Sequence, residues 1–134
     1  MNEQAAKEWL TKAWHNISGA NLFYKANHYT DVTAVEIHYG VEKTIKSLLA
    51  FHNKKMPKTH DVYELYLQTN NLIDLEDSLD LMDQITRYHI EESYPAHNHS
   101  LPPREEIKEV LDFADELFNR VCTHLNIKPE EVKK

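Results

Sequence analysis

Apolar positions recur at helical spacing along most of this chain. Residues 31–52 contain no proline, and Ile37, Val41, Ile45, Leu48 and His52 fall at steps of four, four, three and four, which is one face of a helix. Thr30 or Asp31 is placed to cap its start. Before it, Ala6, Trp9, Ala13, Ile17, Ala20 and Tyr24 mark a first helix over 3–27, in which Gly19 costs about 1 kcal/mol relative to alanine. The link 27–30 is short, so these two helices should pack as an antiparallel pair. Gly40, midway along the second, points to close approach of a neighbouring helix. Asp61 with Glu64 three residues on starts a short third helix, 61–69, ended by Asn70-Asn71. Leu75, Leu79, Met82 and Ile85 give a fourth over 75–90. Three prolines forbid regular helix in 93–103. A fifth helix then starts near Pro103, with Ile107, Val110, Leu111, Ala114, Leu117, Phe118, Val121 and Leu125 on its core face. With no repeat and no strand-like alternation, the expected fold is all-α: an up-and-down bundle of four to five antiparallel helices, with residues 1–134 forming one domain.

Composition narrows the class. A chain of 134 residues, 41% hydrophobic, fills one core, and only two glycines and five prolines suit long helices. The single cysteine, Cys122, excludes an internal disulfide and lies in a helical pattern, as an inert, partly buried thiol. The start Met1-Asn2-Glu3-Gln4 has no basic or apolar leader, and no stretch approaches the roughly 18 apolar residues of a membrane span. A soluble cytoplasmic protein without membrane association is therefore expected. The net charge of −7 argues against general nucleic-acid binding, which depends on cations meeting phosphates. The charge is uneven: eight lysines face five acids in residues 1–58, net +3, and the remainder carries −10. A local cationic surface near the second helix is compatible with this, as are acids that merely solvate helix faces.

Polar residues that carry chemistry fall into three groups. Glu42 and Lys46, at i and i+4, are spaced for a surface ion pair, which leaves Lys43, on the same exposed side, free to meet a phosphate. His60-Asp61 stands at a helix start, where imidazole and free backbone amides face an anion; a simple Asp61 cap closed by His60 fits equally. His97-x-His99 and nearby His89 are of metal-ligand type, but a structural zinc site wants four ligands and no cysteine assists, so no metal site is assigned.

The run Tyr29-x-Asp31, then Glu42-Lys43-x-x-Lys46-x-Leu48-Leu49, Thr59-His60-Asp61-x-x-x-Leu65, and later Tyr94-Pro95 before a helix, resembles the HEPN (higher eukaryotes and prokaryotes nucleotide-binding) domain family, of the small stand-alone prokaryotic type. The chain departs from the family in Tyr39-Gly40-Val41, where a small-residue pair is usual, and in Ser93-Tyr94-Pro95, where many members place arginine first. The resemblance implies a module that binds a nucleotide or a partner protein, with Lys43, Lys46 and His60 on phosphate and Tyr94 on a base or filling the bundle. It also implies a homodimer and a separately encoded minimal nucleotidyltransferase partner, in a toxin–antitoxin-like pair, with no cofactor beyond a nucleotide ligand. The alternative it offers is a metal-independent RNase toxin, with arginine and a downstream histidine joined across a dimer. Here Arg87 is followed by histidines at 89, 97 and 99, and Arg120 precedes His124 at i+4, so the family spacing is not cleanly present. A third reading makes every one of these residues structural, in a non-catalytic scaffold.

Overall fold

The computed structural model describes residues 1–95 and 100–134. Among the described residues five α-helices follow in order: α1 (Glu3–Lys25), α2 (Thr30–Phe51), α3 (Val62–Leu67), α4 (Leu79–Glu91) and α5 (Arg104–His124), with short 3-10 turns at Glu76–Ser78 and Pro129–Glu131. The bundle is all-α and antiparallel, as the periodicity predicts, and the described residues form no strand. No helix among them is long and apolar enough to cross a membrane.

The centre of the bundle is α2, which packs against α1, α3, α4 and α5. Almost every residue from Ile37 to Ala50 is buried, polar ones included. An α1 stripe of Ala6, Leu10, Ala13, Ile17 and Ala20 lies against it, and its small residues let the two backbones approach. Leu10, rather than the expected Trp9, completes that stripe. The approach is closest at Gly40, where a Cβ would stand 2.5 Å from Ile17 Cγ1. The core face of α5 is as read from the spacing, and Cys122 within it is buried, its thiol pushed up to about 11 by desolvation.

Helix ends are set by asparagine. Asn27, Asn53 and Asn126 have φ of 56°, 54° and 57°, the left-handed region that asparagine tolerates better than most residues. Each follows a helix end by two positions and closes the same pair of bonds: Asn27 N to Tyr24 O and His28 N to Phe23 O; Asn53 N to Ala50 O and Lys54 N to Leu49 O; Asn126 N to Thr123 O and Ile127 N to Cys122 O. These are Schellman closures, which satisfy carbonyls the helix leaves unpaired.

The starts of the helices differ from expectation at two places. Neither Thr30 nor Asp31 caps α2; Tyr29 holds that position without a side-chain bond, and Asp31 Oδ1 accepts from Val32 N at 2.8 Å. Leu75 does not begin α4 but turns inward, buried, its amide donating to the Tyr66 hydroxyl at 3.0 Å. At α3, Asp61 caps as expected, accepting from Glu64 N at 3.1 Å. The Glu64 carboxylate does not complete a capping box; it accepts from Thr59 Oγ1, which itself takes the Asp61 amide proton.

The two glycines should respond oppositely to a methyl group. Gly40→Ala must displace Ile17, an overpacking cost of about 1–3 kcal/mol that exceeds the helix-propensity gain, and we expect a lower denaturation midpoint. At Gly19 nothing lies within 4 Å of the added atom, so Gly19→Ala should stabilise by up to about 1 kcal/mol. Urea titration of both variants measures the contrast, and a stabilised Gly40→Ala protein would contradict the packing described.

Candidate functional site

Along α2, His38, Glu42 and Lys46 follow one another at four-residue steps, one polar row beside the apolar one. All three side chains are buried. A carboxylate in such a place must be met by donors on every side, and Glu42 is. Its Oε1 receives His38 Nε2 at 3.1 Å and His60 Nδ1 at 2.8 Å, and its Oε2 receives Lys46 Nζ at 3.0 Å. Burial pushes the Glu42 carboxyl up. The bonds from His38, His60 and Lys46, with the lysine charge, outweigh this and hold it at about 2.

Lys46, expected on an exposed face, is therefore sequestered. Its ammonium lies 5.6 Å from the Trp9 ring, so α1 closes the other side of the charge. The anticipated Glu42–Lys46 pair exists, but in the interior rather than on the surface. His38 has a further constraint, because its Nδ1 lies 2.9 Å from the Ile85 carbonyl of α4. Both ring nitrogens thus face acceptors, and a neutral imidazole, with one N–H, can serve only one of them.

Outside this buried row the cluster becomes a surface. His60, more than half exposed, stacks on His89 of α4 with centroids 4.2 Å apart and planes at 20°. Tyr39 stands edge-on to both rings, and Lys43 Nζ lies 5.7 Å from the Tyr39 centroid while donating to Asn16 Oδ1 at 2.8 Å. Desolvation, with the charges of His60 and His38, lowers the His89 pKa and favours its neutral form. Of the residues singled out in the sequence, Lys46 and His60 meet at Glu42, while Lys43 reaches Asn16 and the outer Tyr39 ring. His38 and Tyr39 join them unforeseen, although the four-residue step from His38 to Glu42 to Lys46 is a visible signal, and His89, grouped in the sequence with His97 and His99, stacks on His60 instead.

The other candidates lie apart. Tyr94 is exposed in a separate cleft of about 400 Å³ with Asp31, Glu91 and Glu92, an acidic setting unsuited to phosphate. Arg87 pairs with Asp83 and Glu91 along α4. Arg120 donates to the Asp74 carbonyl at 3.0 Å and, with His124, lines a cleft of about 560 Å³ beside Leu72 and Ile73. His97 and His99 fall outside the described residues.

The HEPN domain model matches residues 6–127, nearly the whole chain. The chain belongs to the HEPN domain family. Among solved structures, this HEPN domain is similar to TT1696 from Thermus thermophilus, at 22% identity and a TM-score of 0.76, over 92% of this chain and 99% of that one. It is also similar to ST0689, an archaeal HEPN homologue, at 17% identity and a TM-score of 0.69, over 90% and 97%. At these identities the likeness carries the fold alone. A comparison with curated proteins gives no match.

The Glu42 cluster should be visible in acid. Its carboxyl is held lower in the folded than in the unfolded chain, so the stabilisation is present above about pH 4.5 and is lost as pH falls toward about 2. The full contribution is roughly 3 kcal/mol at 1.36 kcal/mol per pKa unit. We expect Glu42→Gln to unfold more easily at pH 7 and to show little of the acid-dependent loss of stability between those limits. Denaturant titrations across that range, in chelator-containing buffer, measure both, and an unchanged acid limb would remove Glu42 from the centre of the network.

Proposed function

We propose that this HEPN domain is a binding module whose ligand is a nucleotide or another phosphate-bearing group, received on the surface formed by Tyr39, Lys43, His60 and His89. One observation carries the reading: the exposed His60 ring, stacked on the half-buried His89 and flanked by Tyr39 and the Lys43 ammonium, sets aromatic surface beside a cation on an otherwise acidic protein. Base stacking on such rings contributes about 1–3 kcal/mol per base, and Lys43 supplies the charge for phosphate. Lys46 acts indirectly, holding Glu42 and through it His60. Tyr94 plays no part at this surface.

The remaining parts of the reading rest on the family resemblance. We infer a homodimer that acts with a separately encoded minimal nucleotidyltransferase, in a toxin–antitoxin-like pair. Tyr63 and Leu67, exposed one turn apart on α3, support an interface on that side. Light scattering that returned a monomer at working concentration would refute the dimer.

RNA cleavage is the second reading, and its specific support is the cleft shared by Arg120 and His124. Arg87 contributes less to it, since two carboxylates on its own helix already engage its guanidinium.

Two measurements separate these readings from a plain scaffold. ATP binding by equilibrium dialysis should weaken at least about tenfold in Lys43→Ala/His60→Ala, the loss of one stack and one phosphate contact; unchanged binding would defeat the proposed surface. Single-stranded and transfer RNA incubated with the protein in EDTA should stay intact. Cleavage abolished by Arg120→Ala or Arg87→Ala would make it a metal-independent ribonuclease instead.

A further inference from the structure

We propose that His38, Glu42 and His60 form a binding site for a divalent transition-metal ion of the zinc class, with His38 Nε2, Glu42 Oε1 and His60 Nδ1 as ligands. The three donor atoms all lie within 4.8 Å of one another. In a tetrahedral zinc site, metal–ligand distances of about 2.0–2.2 Å place neighbouring ligand atoms roughly 3.3 Å apart. The His38–Glu42 and Glu42–His60 separations, 3.1 and 2.8 Å, fall short of that by a few tenths of an ångström. His60, on an exposed loop between α2 and α3, can move outward by that amount at little cost, whereas His38 and Glu42 are fixed in the core.

The surroundings have the arrangement that metal-binding imidazoles need. A ligating histidine commonly donates its other N–H to a carbonyl or carboxylate, which fixes the tautomer and aims the free lone pair at the metal. His38 Nδ1 is placed for this by the Ile85 carbonyl. Its Nε2 lone pair would then face the Glu42 carboxylate at 3.1 Å, two electron-rich atoms that need a cation between them. Either a proton or a metal ion meets that need. Lys46 does not compete, because its ammonium occupies Oε2 and leaves Oε1 to the two imidazoles. On binding, a proton on His38 Nε2 is displaced, to solvent from the imidazolium or to Nδ1 in the neutral ring, and His60 takes the Nε2–H tautomer, so that both ligand nitrogens present lone pairs.

Two imidazoles and one carboxylate favour zinc, cobalt, nickel or copper over magnesium and calcium, which take oxygen donors. Three protein ligands leave a fourth position, and the exposure of His60 places it on the solvent side. With Lys46 adjacent, the site is strongly cationic, so water or an anion would complete it. This inference stands independently of nucleotide binding.

The test uses the full chain, stripped with EDTA and dialysed, with zinc alone as titrant in calorimetry and cobalt as a spectroscopic probe. We expect one zinc ion per chain and the visible absorption of four-coordinate cobalt. Loss of a supporting partner behind a ligand costs 10–100-fold in metal affinity, so loss of a ligand itself in His60→Ala should cost at least about 100-fold. Because His60 is exposed, that variant should keep its helical circular dichroism. His97→Ala/His99→Ala controls for the loop pair and should bind as the parent does. Zinc bound equally well by His60→Ala, lost in the loop variant, or not bound by the parent would each overturn the site.

Discussion

A carboxylate cannot leave water unless donors replace the water it loses, and much of this structure is arranged around that requirement at Glu42. Each of its three partners reaches it from a place that another part of the bundle determines. His38 is oriented by the Ile85 carbonyl of α4, Lys46 is enclosed by Trp9 of α1, and His60 comes from the segment that leads into α3. A single buried charge therefore fixes the relation of α1, α2, α4 and that segment. A slide of one helical turn along α2 would strand a charge in the core. Removing one partner of a buried pair typically costs 3–5 kcal/mol, far more than an exposed pair contributes.

That constraint depends on α2 being buried on nearly all sides, and the backbone makes this possible with few special residues. Gly40 brings α1 into contact over Ile17, while the small residues of the α1 stripe continue the close approach on either side. Asparagine takes the left-handed position after α1, α2 and α5, the place where glycine is usual. The chain has only two glycines, and the one in α2 is committed to packing. Where left-handed backbone is needed without close contact, asparagine fulfils the role at a small conformational cost.

The fold was legible because it rests on periodicity, which a sequence displays directly. Helix order and the core faces of α2 and α5 follow from the spacing of apolar residues. Boundaries followed less well. Leu75 fits the period of α4, yet the Tyr66 hydroxyl captures its amide and delays the helix; no spacing reveals a partner nine residues away. The site was legible in membership but not in depth. Lys43, Lys46 and His60 stand out by type, but whether a lysine on a helix is surface or interior depends on how many neighbours the helix acquires. An amphipathic reading assumes a wet face, and α2 has hardly any. The row His38, Glu42, Lys46 was the available signal, since three ionisable residues at four-residue steps must share an environment, wet or dry, and a buried one requires mutual pairing.

Burial of Lys46 also determines what the surface can recognise. With that ammonium turned inward against Glu42, Lys43 is the cation at the ring cluster, and Asn16 already restrains it. A single restrained lysine gives weak and unspecific affinity for an anion, while the −10 charge on residues 59–134 repels polyanions at longer range. Any ligand at this surface must therefore gain its affinity from contact with the rings of Tyr39, His60 and His89, or from a cation held beneath them. His60 belongs to both possibilities: one face of its ring is stacked on His89, and one nitrogen is committed to Glu42. Whatever binds outside is thus coupled through one imidazole to the buried carboxylate that holds the helices in place.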